Sequence, residues 1–271
     1  MNTQKKSRLV KVTFAITLAL ILWGLVGVFL ESFSVTMYWG IGLGVVAGLA
    51  FVTSLAIQKF GIKNGLLIVL PVLVTVFGAL SLNQMRGWPF GMVTFHDILG
   101  WKIFLGISWP VPVFWTCIIV SMLLLTQPKE SSKDPKILFS WAFDTAILTM
   151  LVSLIIEPIL NNTSALAWSV QGPFLGVPFS SFLGWFLTAF VAAFIAILAG
   201  KPYLVNTQEK SLTLFISLLG FGILSSAAAH RFNLPAIEIM GVIFSLAFIF
   251  LLIRKICHFD RSSEGDEVEK S

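Results

Sequence analysis

The stretch VTFAITLALILWGLVGVFL, Val12 to Leu30, holds 19 residues without a charge. As a helix rising 1.5 Å per residue it is close to the ~20 residues that cross the hydrocarbon layer of a bilayer. Lys5, Lys6, Arg8 and Lys11 precede it, as basic residues precede both a secretory signal and a first membrane span. Its full length, and the lack of a small-residue cleavage site after it, favour a span that stays in place.

Working outward, apolar stretches of similar length recur, giving eight in all at about residues 9–30, 37–57, 64–82, 103–126, 137–158, 180–199, 211–229 and 235–256. The third and seventh are the shortest of these. The whole chain is 57% hydrophobic and 11% charged, more apolar than a water-soluble fold of 271 residues can bury. Its mean hydropathy is +0.92. The expected fold is therefore an all-α integral membrane bundle, a single polytopic domain over residues 1–260. Residues 261–271, rich in acidic side chains, are expected to form a disordered cytoplasmic tail.

Basic residues test the count of spans, because loops on the cytoplasmic side collect Lys and Arg. With the N-terminus inside, eight spans place 15 of the 18 Lys and Arg on the inner side and leave Arg86, Lys102 and Arg231 outside. That split predicts a multi-pass protein of the cell membrane with both termini cytoplasmic. The net charge of +5 follows these loop clusters rather than one face, so nucleic acid is not an expected partner. Cys117 and Cys257 each lie in or beside an apolar stretch and are read as reduced packing residues.

Two outer connections, Asn83 to Lys102 and Asn161 to Phe179, are poor in charge and rich in Gly, Pro and aromatic residues. They are expected to lie in the interface or to re-enter the membrane against protein, where irregular backbone is tolerated. Trp39, Trp88, Trp101, Trp109, Trp168 and Trp185 fall near outer ends of spans, as an interfacial aromatic belt would place them.

Ionisable residues inside apolar stretches are costly and mark candidate sites. Asp144 and Glu157 share the fifth span, and Asp144 is expected to face the bundle interior. Thirteen residues separate the two, about 20 Å of rise and 220° of rotation, so they cannot act as a dyad. Glu157 lies near the outer end, before Pro158, which is expected to close or kink the helix. Glu31, Arg86, His96, Asp97, Lys102, His230, Arg231 and Glu238 fall on the same side and suggest an outer polar chamber. No zinc-ligand spacing, phosphate-binding glycine loop or nucleophile elbow occurs, and neither a metal nor a cofactor is expected.

Two blocks of sequence carry a resemblance. The first is Gly87-Trp88-Pro89-Phe90-Gly91, Asp97-Ile98-Leu99-Gly100, Gly106-Ile107 and Pro112 with Trp115. The second is Asp144, Glu157-Pro158, Trp168, Gly172, Gly176-Val177-Pro178 and Phe182-Leu183-Gly184-Trp185. In order and spacing they resemble the carotenoid biosynthesis membrane proteins of the carotenoid hydratase type, which include bisanhydrobacterioruberin hydratases. The chain departs from that family's pattern at Val93 and Phe95, where the pattern has tyrosines, at Glu157, where it has Asp, and at Ser181, where it has Asn.

The resemblance implies a hydratase without a cofactor, adding water to the terminal double bond of an acyclic carotenoid or another long isoprenoid dissolved in membrane lipid. A buried acid would protonate the alkene, aromatic faces would stabilise the tertiary cation, and a carboxylate would orient the water. Glu157 is the first candidate acid, followed by Asp97 with His96. Trp115, Trp168, Trp185, Phe90 and Asp144 are candidates for lining the substrate. Other enzymes of the carotenoid pathway are implied partners. A non-catalytic carotenoid binder and a small-solute transporter are the alternative readings.

Overall fold

The computed structural model describes residues 3–29, 35–128, 132–204 and 211–268, with side chains described as far as Ile253 except at residues 3, 29, 35–39, 41 and 204. Among the described residues there are eight α-helices: α1 Thr3–Phe29, α2 Val35–Phe60, α3 Ile62–Arg86, α4 Pro110–Thr126, α5 Pro135–Asn162, α6 Phe179–Gly200, α7 Leu212–Arg231 and α8 Pro235–Val268. Seven are long and apolar enough to cross a membrane, and α4, with 17 residues, is shorter. Consecutive helices pack on one another from α1 to α6, α7 packs on α8 and α1, and α3 packs on α6. The bundle is an all-α multi-pass membrane fold. Its exterior carries exposed Leu22, Val74, Leu183 and Phe250, apolar side chains suited to lipid.

The fourth span starts later than residue 103. Leu105 and Gly106 both have positive φ, residues 104–106 make a single 3-10 turn, and Lys102 bridges to Ser108. The helix begins at Pro110, whose fixed φ and missing N–H suit a first helical position. The shortest helix is consequently α4, while α3, expected to be short, has 25 residues. Pro158 does not close α5, which continues for one more turn to Asn162. Likewise α8 continues to Val268, through most of the segment expected to be a disordered tail; residues 269–271 lie outside the described residues.

The two long connections do not form separate loops. They meet in a two-stranded antiparallel sheet, β1 Val93–Phe95 and β2 Leu166–Trp168, with Val93 opposite Trp168, Thr94 opposite Ala167 and Phe95 opposite Leu166. Side chains alternate across a strand. Val93, Phe95, Leu166 and Trp168 all turn inward and are buried, which makes this small sheet a cap over one end of the bundle.

Asn83 anchors the cap. It is fully buried near the end of α3, donates from Nδ2 to the Gly91 carbonyl at 2.8 Å and accepts from the Phe90 N–H at 3.0 Å. Gly87, in the left-handed region, ends the helix by donating its N–H to the Asn83 carbonyl. Gln84 and Ser180 add side-chain hydrogen bonds to the carbonyls of Val93 and Phe90. The result is a fixed position for Phe90.

Candidate functional site

Beneath the cap, α5 and α6 bring together the residues with the clearest chemical potential. Ser181 and Trp185 lie four apart on α6 and so share one face of that helix. Both donate to Glu157 Oε1 on α5, Ser181 through its hydroxyl and Trp185 through its indole N–H, each at 2.7 Å. Glu157 is only 3% exposed, and its second oxygen, Oε2, is buried with no hydrogen-bond partner. A buried polar atom left without a partner is costly unless a ligand or water supplies one.

Aromatic rings pack beside this carboxyl group. Trp115, on α4, stacks on Trp185 with ring centroids 3.8 Å apart and planes 19° from parallel. Phe90 closes on Trp185 from the other connection at 4.5 Å. The approach needs glycine at position 184, because a Cβ there would collide with the Phe90 ring. Phe90, Val93, Phe95, Trp115, Glu157, Trp168 and Trp185 line a common cavity of about 20 Å³. That is room for a water molecule. Trp168 Nε1 is also buried without a partner. Two residues that line the cavity, Glu157 and Trp168, therefore each carry a buried polar atom without a partner, the acceptor Oε2 and the donor Nε1, among rings whose π-clouds favour positive charge.

Five sequence candidates therefore meet: Glu157, Trp115, Trp168, Trp185 and Phe90. Trp168 and Trp185 were expected in an interfacial belt, but they are buried in this cluster, while Trp88 and Trp101 are exposed. Three candidates lie elsewhere. His96 and Asp97 are exposed, and Asp97 pairs with Lys102 at 3.1 Å with its side chain 92% open. Asp144 is exposed on the outward face of α5, contrary to the expected inward orientation. The cause is the 220° between Asp144 and Glu157: Trp141, Ala142, Thr145, Thr149, Ser153 and Glu157 make the buried face, and Asp144 falls outside it.

An outer polar chamber does not form around Glu157 among the described residues. Glu238 pairs with His230 at 3.1 Å, and Glu31 lies outside the described residues. No group of three or more His, Cys, Asp or Glu positioned for a metal occurs among the described residues. Sequence reasoning did not assign roles to Ser181 as hydrogen-bond donor to the acid or to Asn83 as anchor of the cap. The i, i+4 spacing of Ser181 and Trp185 was the available signal for the first. The second has no local signature, because it depends on the path of the loop after α3.

Comparison with known proteins gives the family context. The profile of a family described as carotenoid biosynthesis protein matches residues 40–249. The chain is also similar to a bisanhydrobacterioruberin hydratase of Haloarcula japonica, at 28% identity over 124 residues. The similar region is 44% of this chain and 40% of that protein, so the chain spans about two fifths of the length of the curated relative it matches. No solved structure matches.

Proposed function

The chain belongs to the carotenoid biosynthesis protein family, and from that premise we propose that it hydrates the terminal double bond of an acyclic carotenoid, with Glu157 as the acid. The observation that carries this reading is the buried Glu157 carboxyl group, held by Ser181 and Trp185 through one oxygen and left without a partner at the other, beside a cavity lined by aromatic rings.

In the proposed reaction, protonated Glu157 gives its proton to the less substituted carbon of the alkene. A C–H bond forms, the π bond breaks, and a tertiary cation develops between the faces of Trp115, Trp185 and Phe90. Water then forms the C–O bond, and its surplus proton returns to the Glu157 carboxylate. The net change is one water added per end. Trp168 Nε1 donates to the water oxygen and fixes its position before attack. Asp97 and His96, exposed on the far side of the cap, have no part in this scheme.

A cavity of about 20 Å³ takes water but not the branched end of an isoprenoid. Substrate entry therefore requires Phe95 and Trp168 to move with the β1–β2 cap, whose strands have three residues each. In the proposed orientation both termini are cytoplasmic and the cap faces outward, supported by the 15 to 3 division of Lys and Arg.

Expression in a cell that accumulates an acyclic carotene, followed by mass analysis of the extracted pigment, tests the reading. The expected result is a gain of one water per modified end, absent with Glu157→Gln. Unchanged carotene beside well-expressed wild-type protein would reject hydration and turn attention to pigment that co-purifies with the protein.

A further inference from the structure

Asp144 has no part in the site, yet it stands where a carboxyl group is costly. It is exposed on the outward face of α5 and makes no hydrogen bond or ion pair among the described residues. Its depth follows from the neighbouring helix. The adjacent Phe143 meets Phe186 edge-on, with ring centroids 5.5 Å apart. Phe186 lies about 10 Å from the Phe179 end of α6 and about 21 Å from the Gly200 end, well inside an apolar span. Phe139, Phe143 and Leu151, exposed around Asp144, are side chains suited to hydrocarbon. An ionisable group at such a depth normally faces the protein interior or a polar partner.

A second observation lies one turn away. Ser140 shares the face of Asp144 and is exposed as well. On the buried face of the same helix, Thr145, Thr149 and Ser153 each donate to a carbonyl of the preceding turn. Ser140 makes no such bond among the described residues. The outward face of α5 thus carries an uncommitted donor and an uncommitted acceptor, spaced by one helical turn.

We propose that this face is a contact between two copies of the chain. Copies inserted in the same orientation pair about an axis along the membrane normal, which sets α5 parallel to the α5 of the second copy. In a parallel pair a side chain packs among residues of the facing helix that lie a turn apart. The Cβ of Asp144 tilts toward the N-terminus of its helix, and so toward the level of Ser140. Asp144 therefore accepts from Ser140 of the second copy, and Ser140 donates to Asp144 of the second copy. Donor and acceptor are self-complementary, as a two-fold contact requires. Phe139, Phe143 and Leu151 flank the pair and separate it from lipid. The rotation of about 220° between Asp144 and Glu157 turns this contact away from the aromatic cavity.

The test is energy transfer between full-length chains carrying donor and acceptor fluorescent proteins at the N-terminus, reconstituted in liposomes over a range of protein-to-lipid ratios. Wild-type chains should associate, with transfer falling as lipid dilutes them. Asp144→Leu should weaken association about tenfold, as loss of two interhelical hydrogen bonds allows, and Ser140→Ala by a similar factor. The two substitutions together should do no more than Asp144→Leu alone, because both remove the same bonds. Asp144→Asn keeps an acceptor and should preserve association. Thermal unfolding in detergent should hold steady, since both side chains are exposed. A wild-type chain that stays monomeric at every ratio, association indifferent to Asp144→Leu, effects of the two substitutions that multiply, or loss of association in Asp144→Asn would each overturn the proposal. If Asp144→Leu does not fold, Ser140→Ala and Asp144→Asn decide. No readout uses turnover, so the outcome is independent of the hydratase reading.

Discussion

Trp185 joins the acid to the aromatic wall: its indole N–H donates to Glu157 Oε1 at 2.7 Å while its ring stacks on Trp115 at 3.8 Å. One side chain therefore sets both the direction of the carboxyl group and the face on which a cation would rest. Four expected outcomes follow from this and from the cap above it.

Glu157→Gln keeps an oxygen that can accept from Ser181 and Trp185, so the folded protein should survive. Loss of a general acid costs about 10²–10⁴-fold in rate. Product measured by mass should fall at least 100-fold, while thermal unfolding in detergent moves little. A product yield near wild type would remove Glu157 from the chemistry.

Trp168→Phe removes a buried N–H that has no protein partner. Stability should be unchanged or higher by up to ~1 kcal/mol, since an unsatisfied donor disappears. Hydration should nevertheless slow by about 10- to 100-fold, because the water loses its positioning partner. A parallel loss of stability and rate would instead point to a packing role.

Gly184→Ala places a methyl group against Phe90. Overpacking of this kind costs about 1–3 kcal/mol, and the midpoint of thermal unfolding should drop accordingly. The double variant Gly184→Ala with Phe90→Leu should recover part of that loss. No recovery would mean that the two positions are not in direct conflict.

Thr94 and Ala167 face each other across the β1–β2 pair. Opposed Cα atoms at a hydrogen-bonded antiparallel position lie ~5.5 Å apart, within the range a disulfide spans. The double variant Thr94→Cys with Ala167→Cys should lose turnover on oxidation and regain it with reductant. Full activity in the oxidised form would show that substrate enters without separation of the two strands.

The eight helices were legible because uninterrupted apolar length is a local property, and their positions follow from it within a few residues except at the starts of α1 and α4 and the end of α8. What α4 lacked was equally local, yet it was missed: Gly100, Gly106 and Pro110 punctuate an apolar run that reads as one span when hydropathy alone is considered. Glu157, Trp115, Trp168, Trp185 and Phe90 were named from the sequence, but their convergence was not visible there. It depends on pairing between residues 93–95 and 166–168, some seventy positions apart, and strands of three residues are too short for an alternating pattern to stand out. Asp144 shows the opposite error. The cost of charge in lipid argued for an inward orientation, whereas the helical phase already relating it to Glu157 required the two to part. Val93, Phe95, Glu157 and Ser181, where the chain departs from the pattern it resembles, all fall at this one cluster, so the departures are changes to a single site.

The shortness of α4 reaches beyond its own packing. Seventeen residues rise about 26 Å, against about 38 Å for the 25 residues of α3 and about 42 Å for the 28 of α5. A hydrocarbon layer of ~30 Å is not fully matched by such a helix, but every residue of α4 is buried or half-buried, so neighbouring protein and the irregular segment before Pro110, rather than lipid, make up the difference. A short helix walled in by its neighbours thus leaves irregular backbone, rather than a further turn of helix, to carry Phe90, Val93 and Phe95 into the cavity that Trp115 lines.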